Sequence, residues 1–137
     1  MKRTHLYSTI LSLILIISCL GCGQATPVPN LTVKQLQEFY PGELSNVNHI
    51  EIRSGSTGEL RTFTDKQQVQ NWLDGVSNLA FKPDPNQDKR VGFLYAVDLF
   101  EGKDSKLRFT PGDIQGNYYV YNKDLEKQIR ELFESKQ

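Results

Sequence analysis

The chain has 137 residues, which suits a single domain and is short for two. Lysine plus arginine and aspartate plus glutamate each number 16, and Lys2 and Arg3 precede every acid, so the chain after residue 21 carries 14 basic against 16 acidic residues. A weakly acidic body lacks the basic face that neutralises phosphates, which argues against a nucleic-acid partner. Both cysteines lie within the first 22 residues, so no disulfide can bridge the remainder of the chain.

The N-terminal segment has the pattern of a secretory signal peptide. A basic start is followed by the apolar, uncharged residues 6–20 and then by a cysteine between two glycines. The apolar run has 15 residues, whereas a helix that spans a bilayer needs about 20. We therefore expect residues 1–21 to be a signal peptide and not a membrane-spanning helix.

The end of this leader resembles the lipobox of bacterial lipoproteins, in which a cysteine follows aliphatic and small residues. In such proteins the thiol receives a diacylglyceryl group and a peptidase cuts directly before it; two acyl chains anchor a protein stably where one does not. Cys22 fits because glycines flank it, although Cys19 stands where an aliphatic residue is usual. Cys19 is the alternative, with Ser18 before it but bulky Leu20 after it. The lipobox predicts a domain held at the outer face of the cytoplasmic membrane.

A flexible tether is predicted over residues 22–30, because its residues are mostly glycine, proline and small polar types. The eight residues 23–30 can span at most about 26–29 Å when extended. The domain of residues 31–137 should therefore lie close to the membrane surface.

The domain begins with a predicted short helix and a hairpin. The helix covers residues 31–40, with Thr32 and Gln35 as a capping box. The hairpin has two alternating strands around the turn at residues 54–58. We expect a register that pairs opposite charges across the strands. Its pairs are Ile52 with Leu60, Ile50 with Thr62, Glu51 with Arg61, and Arg53 with Glu59.

The strongest local pattern predicts a helix over about residues 65–76. Thr64 and Gln67 form a second capping box, and apolar residues then recur with helical spacing. The stripe consists of Val69, Trp72, Leu73 and Val76. We expect Trp72 to be part of the core.

The remaining segments predict three strands and a closing helix. The strands cover residues 91–100, 106–110 and 118–121, and a type II turn is expected at Pro111-Gly112. The first of them is apolar on both faces, which indicates a central position in the sheet. The helix covers residues 123–135, with Asn122 as its N-cap and Leu125, Ile129, Leu132 and Phe133 as its buried stripe. The prediction is an α+β domain with an antiparallel sheet of about four to five strands, two main helices and a core over about residues 46–135.

The body resembles the small lipoproteins of spore-forming, Bacillus-type Gram-positive bacteria that are called YhfM-like. The resemblance rests on the Thr-Phe-Thr-Asp segment before the helix of Trp72, the middle strand with Tyr95, and the Tyr-Tyr-Val-Tyr strand before a helix ending in Leu-Phe-Glu. It covers about residues 46–135. It implies a lipid-anchored domain and supplies no functional residues.

Candidate catalytic and metal-binding residues are few. His49 is the single histidine after the leader, and Asp98 is an acid within an apolar strand, so an envelope hydrolase using either residue is the alternative function. Asp84, Asn86 and Asp88 imitate the start of a calcium loop, but that loop's required glycine and glutamate are missing. We expect neither a metal nor a cofactor.

A possible binding surface is formed by Tyr119 and Tyr121, which the alternation of the last strand places on one face; the alternative is that the C-terminal helix covers this face. Exposed aromatic residues often mark recognition surfaces. The sequence therefore favours a non-catalytic, lipid-anchored binding or interaction module, with an unidentified protein or small molecule as its partner.

Overall fold

The computed structural model describes residues 30–136. Three predictions concern residues that lie outside this range, wholly or nearly so: the signal peptide, the lipidation of Cys22 or Cys19, and the tether. The described chain is an α+β domain, as the sequence predicts. Its strands are β1 (Lys34–Gln35), β2 (His49–Ser54), β3 (Leu60–Phe63), β4 (Ala80–Phe81), β5 (Tyr95–Glu101), β6 (Asp104–Thr110), β7 (Asp113–Ile114) and β8 (Asn117–Tyr118), and its α-helices are α1 (Lys66–Val76) and α2 (Lys123–Glu134).

The strands form one large and one small sheet, both antiparallel. The large sheet has six strands in the order β3-β2-β5-β6-β7-β8, one more than the upper expectation of five. The small sheet pairs β1 with β4. Strand β5 lies between β2 and β6, which confirms its predicted central position. Helices α1 and α2 contact each other and pack against β2 and β5 respectively, so they lie on the large sheet.

The structure confirms both helices that the sequence patterns predict. The stripe of α1 is buried at all four expected positions, and so is that of α2. Asn122 caps α2 by accepting a hydrogen bond from the backbone N–H of Leu125 at 3.0 Å. The cap of α1 is Asp65 and not Thr64, because the Asp65 carboxylate accepts the N–H of Gln68 at 2.8 Å. The helix therefore begins one residue later than Thr64 would require.

The predicted first helix is wrong over most of its length. Residues 34 and 35 form strand β1 instead, and only Leu36–Phe39 make a 3-10 helix. The side chain of Glu38 accepts the N–H of Gln35 at 2.6 Å, so Gln35 and not Thr32 is the cap. Residues 34 and 35 form backbone hydrogen bonds with β4 instead. A short helix without tertiary contacts is only marginally stable, so this pairing is favoured.

The hairpin forms where expected, but its predicted register is wrong by one residue. Arg53 pairs with Leu60, Ile52 with Arg61, Glu51 with Thr62 and Ile50 with Phe63. Phe63 is thereby buried on the face of the two isoleucines, whereas Leu60 is exposed. The observed register buries an aromatic ring at the cost of the expected charge pairs.

The predicted strand over residues 91–100 is shorter in the structure, since β5 begins at Tyr95. The returning strand β6 buries Leu107 and Phe109, as expected. The turn at Pro111-Gly112 is present, but Gly112 does not have the positive φ that a type II turn requires. The last strand ends at Tyr118, three residues before its predicted end.

The core extends further towards the N-terminus than the expected residues 46–135. Leu36 is fully buried and Tyr40 is 6% exposed, and both belong to the same core as the helices. Among residues 30–136, neither helix is both long enough and apolar enough to cross a membrane.

Two buried tyrosines make the stability of the fold dependent on pH. Burial and a 2.6 Å hydrogen bond to Glu101 raise the pKa of Tyr40 far above its ordinary value of 10.0. Burial, reinforced by the charge of Asp113, also raises the pKa of Tyr119. A group whose pKa is higher in the folded state stabilises the fold fully below its unfolded pKa, and this contribution is lost as pH rises towards the folded pKa.

We therefore expect the free energy of unfolding to fall as pH rises above about 10, the unfolded tyrosine pKa. Urea denaturation followed by circular dichroism at a series of alkaline pH values measures this. The Tyr40→Phe variant should show a shallower decline than the native chain, because it lacks one of the titrating hydroxyls. A native stability that is level between about pH 9 and 11 would contradict the prediction.

Candidate functional site

Exposed apolar side chains are concentrated at one end of the large sheet. They lie in the loop that leads into β5 and in the segment between β8 and α2. Their exposed fractions are Val91 91%, Leu94 53%, Val120 51%, Tyr121 43% and Phe93 40%. We call these five residues the apolar end.

Backbone hydrogen bonds hold the segment after β8 in place. The N–H of Tyr119 donates to the carbonyl of Gly112 at 2.9 Å, and the N–H of Val120 donates to that of Lys82 at 2.8 Å. A bridge between Pro83 and Tyr119 continues this pairing. The segment is therefore fixed between the turn after β6 and the chain after β4.

The loop before β5 is fixed at the same end of the sheet. The N–H of Gly55, in the β2–β3 turn, donates to the carbonyl of Leu94 at 2.8 Å. A Cβ on Gly55 would lie 1.8 Å from the carbonyl oxygen of Phe93, so only glycine permits this approach of the two backbones. The β2–β3 turn thus supports the apolar side chains of the loop.

A groove of about 280 Å³ opens between these segments. It is lined by residues 92–94, 110–113 and 118–121, together with Asp84 and Arg90. Its volume is slightly below the range of about 300–1,000 Å³ that is common for small-molecule sites. The groove combines apolar side chains with a few polar groups, as ligand sites commonly do.

The polar groups beside the groove are engaged with each other. Arg90 donates to the carboxylate of Asp84 at 2.9 Å, and its guanidinium lies 4.9 Å from the ring centre of Tyr118. The N–H of Asn86 and the guanidinium of Arg90 hold the pKa of Asp84 below its usual value. This network orders the loop and keeps the carboxylate ionised.

The same contacts oppose a calcium site in this loop. Asp84 and Asn86 use side-chain oxygens to accept the N–H groups of Asn86 and Asp88, at 2.9 and 2.8 Å. The guanidinium of Arg90 takes the other oxygen of Asp84, where a cation would have to bind. Within residues 30–136, no group of three or more metal-ligating side chains is placed to hold an ion.

The two predicted binding tyrosines have different environments. Tyr121 is exposed and lines the groove, and burial of part of its ring raises the pKa of its hydroxyl. Tyr119 is only 3% exposed, so it does not contribute to an exposed surface. Its ring packs edge-on against Phe39 and Phe81, with centroids 5.5 and 5.7 Å away. The strand ends at Tyr118, so the alternation that placed both tyrosines on one face does not extend to them.

Sequence reasoning missed the loop part of the apolar end. It placed Val91, Phe93 and Leu94 in a strand covered on both faces. Gly92 has φ +87, a left-handed conformation that interrupts a strand. A glycine in the interior of a predicted strand was the available signal, because glycine often marks such an interruption.

His49 and Asp98 lie on the face of the sheet opposite the helices, on neighbouring strands. Phe100 pairs with His49 and stacks on its ring at 4.4 Å, while Asp98 pairs with Glu51. Asp98 accepts a hydrogen bond from Ser105 at 3.1 Å and lies 3.6 Å from Arg108. The serine hydroxyl is thus directed to a carboxylate and not to the histidine, and neither His49 nor Asp98 lines the groove.

No protein-family model, curated protein or solved structure matches this chain. The arrangement of its own side chains therefore carries the functional argument.

Proposed function

We propose that the chain is an extracytoplasmic lipoprotein whose domain is a non-catalytic binding module, and that the apolar end is its binding surface. One observation carries the proposal. Five of the seven large apolar side chains that are exposed among the described residues belong to the apolar end; the other two are Val33 and Leu60. Exposed apolar side chains gathered around a groove mark interaction sites, whereas scattered ones need no explanation.

Binding is favoured over the alternative of hydrolysis by the state of the candidate catalytic groups. A nucleophile needs a base within hydrogen-bond reach. Ser105 contacts Asp98, whereas the ring nitrogen Nδ1 of His49 lies 2.9 Å from the side-chain oxygen of Asn48. These groups have structural partners on an open sheet surface, away from the groove.

The anchoring part of the proposal rests on the leader sequence. A short apolar segment that ends in Leu20-Gly21-Cys22 has the features of a lipobox, and Cys19 is the alternative acceptor. We expect membrane-extracted protein to have an intact mass that matches a chain starting at Cys22 with a diacylglyceryl addition. A mass that begins at Cys19 would move the site, and an unmodified secreted chain would refute the anchor.

The binding part of the proposal is tested by site-directed photocrosslinking in cells. A photoreactive amino acid at Leu94, which is 53% exposed, should give a specific adduct with whatever covers the apolar end. The matched control is Lys103, an exposed residue of the β5–β6 turn at the other end of the sheet, where no specific adduct is expected. Equal adducts, or none, at both positions would contradict a binding surface at the apolar end.

A further inference from the structure

The described chain begins just before β1, next to the strand that leads into the loop of the apolar end. Strands β1 and β4 are antiparallel, with Lys34 opposite Phe81. The chain that precedes Lys34 therefore runs alongside the chain that follows Phe81, towards the loop of residues 82–94. The first described residues are therefore directed towards the side of the molecule on which the apolar end lies.

The structure points to a specific occupant of the apolar end: we propose that it docks on the lipid surface that carries the anchor. This inference rests on the proposed lipid anchor and adds a second, non-covalent membrane contact. The domain is then held in one orientation, with its apolar end in the interface and the β5–β6 turn directed away from the membrane.

The side chains of the apolar end suit a membrane interface. Val91 and Leu94 are apolar and mostly exposed, and Tyr121 combines an apolar ring with a polar hydroxyl. Such residues insert into the boundary between headgroups and acyl chains. The opposite turn carries Lys103, and Asp104 follows at the start of β6; both are exposed and charged, so this end offers no comparable apolar contact.

The charged residues around the apolar end do not oppose its contact with the membrane. Lys89 is exposed two residues before Val91, and Lys123 is exposed two residues after Tyr121. Arg90 neutralises Asp84 through their 2.9 Å ion pair. Asp88 and Asp124 are also exposed, so basic and acidic groups are mixed here. The apolar side chains, and not a net charge, therefore provide the main attraction.

Because the tether is short, even a weak contact between the apolar end and the membrane is sufficient to orient the domain. From an anchor at Cys22, the eight residues 23–30 span at most about 26–29 Å, which confines the domain to a thin layer above the membrane. Docking is then an intramolecular event at the high effective concentration that short linkers provide. Five exposed apolar side chains can orient a domain under these conditions, although they would not recruit a free protein strongly.

The experiment uses tryptophan as a depth probe in the purified, lipidated protein. Val91→Trp places the probe at the apolar end, and Lys103→Trp places a matched probe at the other end of β5, about 20 Å away for seven strand residues. Each protein is reconstituted in phosphatidylglycerol and phosphatidylethanolamine vesicles, with and without bromine on the acyl chains. Native protein corrects for the buried Trp72, which all variants share.

We expect brominated lipid to quench the fluorescence of Val91→Trp strongly and to leave that of Lys103→Trp unchanged. Adding Leu94→Asp to Val91→Trp should reduce the quenching, and circular dichroism confirms that this variant is folded. Vesicle flotation reports the anchor separately. If the protein floats but both probes are quenched equally or not at all, docking is refuted and the anchor stands.

Two other outcomes also decide the question. A blue shift of the Val91→Trp emission that is independent of bromine would show that protein covers the apolar end, either a second copy or another chain, and would overturn the inference. A protein that neither floats nor carries the lipid would refute the anchor and, with it, the docking that depends on it.

Discussion

Replacing Trp72 with alanine is expected to lower the free energy of unfolding by about 3–5 kcal/mol, the range for truncating a large buried aromatic residue. The indole is 7% exposed within the core. Its Nε1–H donates to the backbone carbonyl of Gln128 at 3.0 Å and so joins α1 to α2. The variant leaves a cavity between the helices and removes the hydrogen bond from the indole to the carbonyl of Gln128. Urea unfolding followed by far-ultraviolet circular dichroism measures the loss.

Two substitutions serve as controls for Trp72. Trp72→Phe keeps most of the buried ring and removes the indole donor, so it should cost less, about 1–3 kcal/mol. Leu60→Ala changes an exposed side chain and should alter stability by less than about 0.5 kcal/mol. If Trp72→Ala left unfolding unchanged and abolished crosslinking at Leu94, the core assignment would be wrong and Trp72 would be a binding residue.

The helices were predictable because their signals are local. An N-cap and an apolar stripe with a 3.6-residue period lie within a dozen neighbouring residues, and both α1 and α2 have them. For these two helices the error was the choice of Thr64 over Asp65 as the cap of α1. Either side chain can accept a backbone N–H, so the sequence does not distinguish them.

The hairpin register shows where local rules fail. The predicted register offered opposite-charge pairs worth about 0.2–1 kcal/mol each, but it turned Phe63 towards the open face. The observed register places Phe63 opposite Ile50 in the core, and full burial of such a side chain is worth about 1.5–3 kcal/mol. Arg61 takes the other helix-facing position, where its guanidinium lies 4.8 Å from the ring centre of Phe133. Contacts with α2 decide the register, and they are not visible in the hairpin sequence.

The strand pattern alone did not reveal the apolar end, because the length of a strand depends on the partner strand beside it. Strand β2 ends at Ser54, which pairs with Tyr95, and the β2–β3 turn follows. Residues before Tyr95 therefore have little partner strand to pair with, although their apolar sequence resembles a buried strand. The sequence predicted their chemistry correctly and their burial incorrectly.

Tyr119 and Tyr121 are only two residues apart, but we expect their substitution to have very different effects on stability. Tyr119→Ala should lower the free energy of unfolding by about 3–5 kcal/mol, as for other buried aromatic truncations. Its ring is 3% exposed and packs edge-on against both Phe39 and Phe81. Each such aromatic pair adds about 0.5–1.5 kcal/mol beyond the buried area. The loss would loosen the contact between the 3-10 helix and β4.

Tyr121→Ala should instead change stability by less than about 1 kcal/mol, since 43% of this side chain is exposed. Its effect should appear at the apolar end, as weaker crosslinking from Leu94 in cells. Urea unfolding and crosslinking of the two variants in parallel separate the roles. Similar stability losses for both would show that Tyr121 is a core residue, and unchanged crosslinking in Tyr121→Ala would remove it from the binding surface. We therefore expect Tyr119 to stabilise the fold and Tyr121 to contact whatever covers the groove.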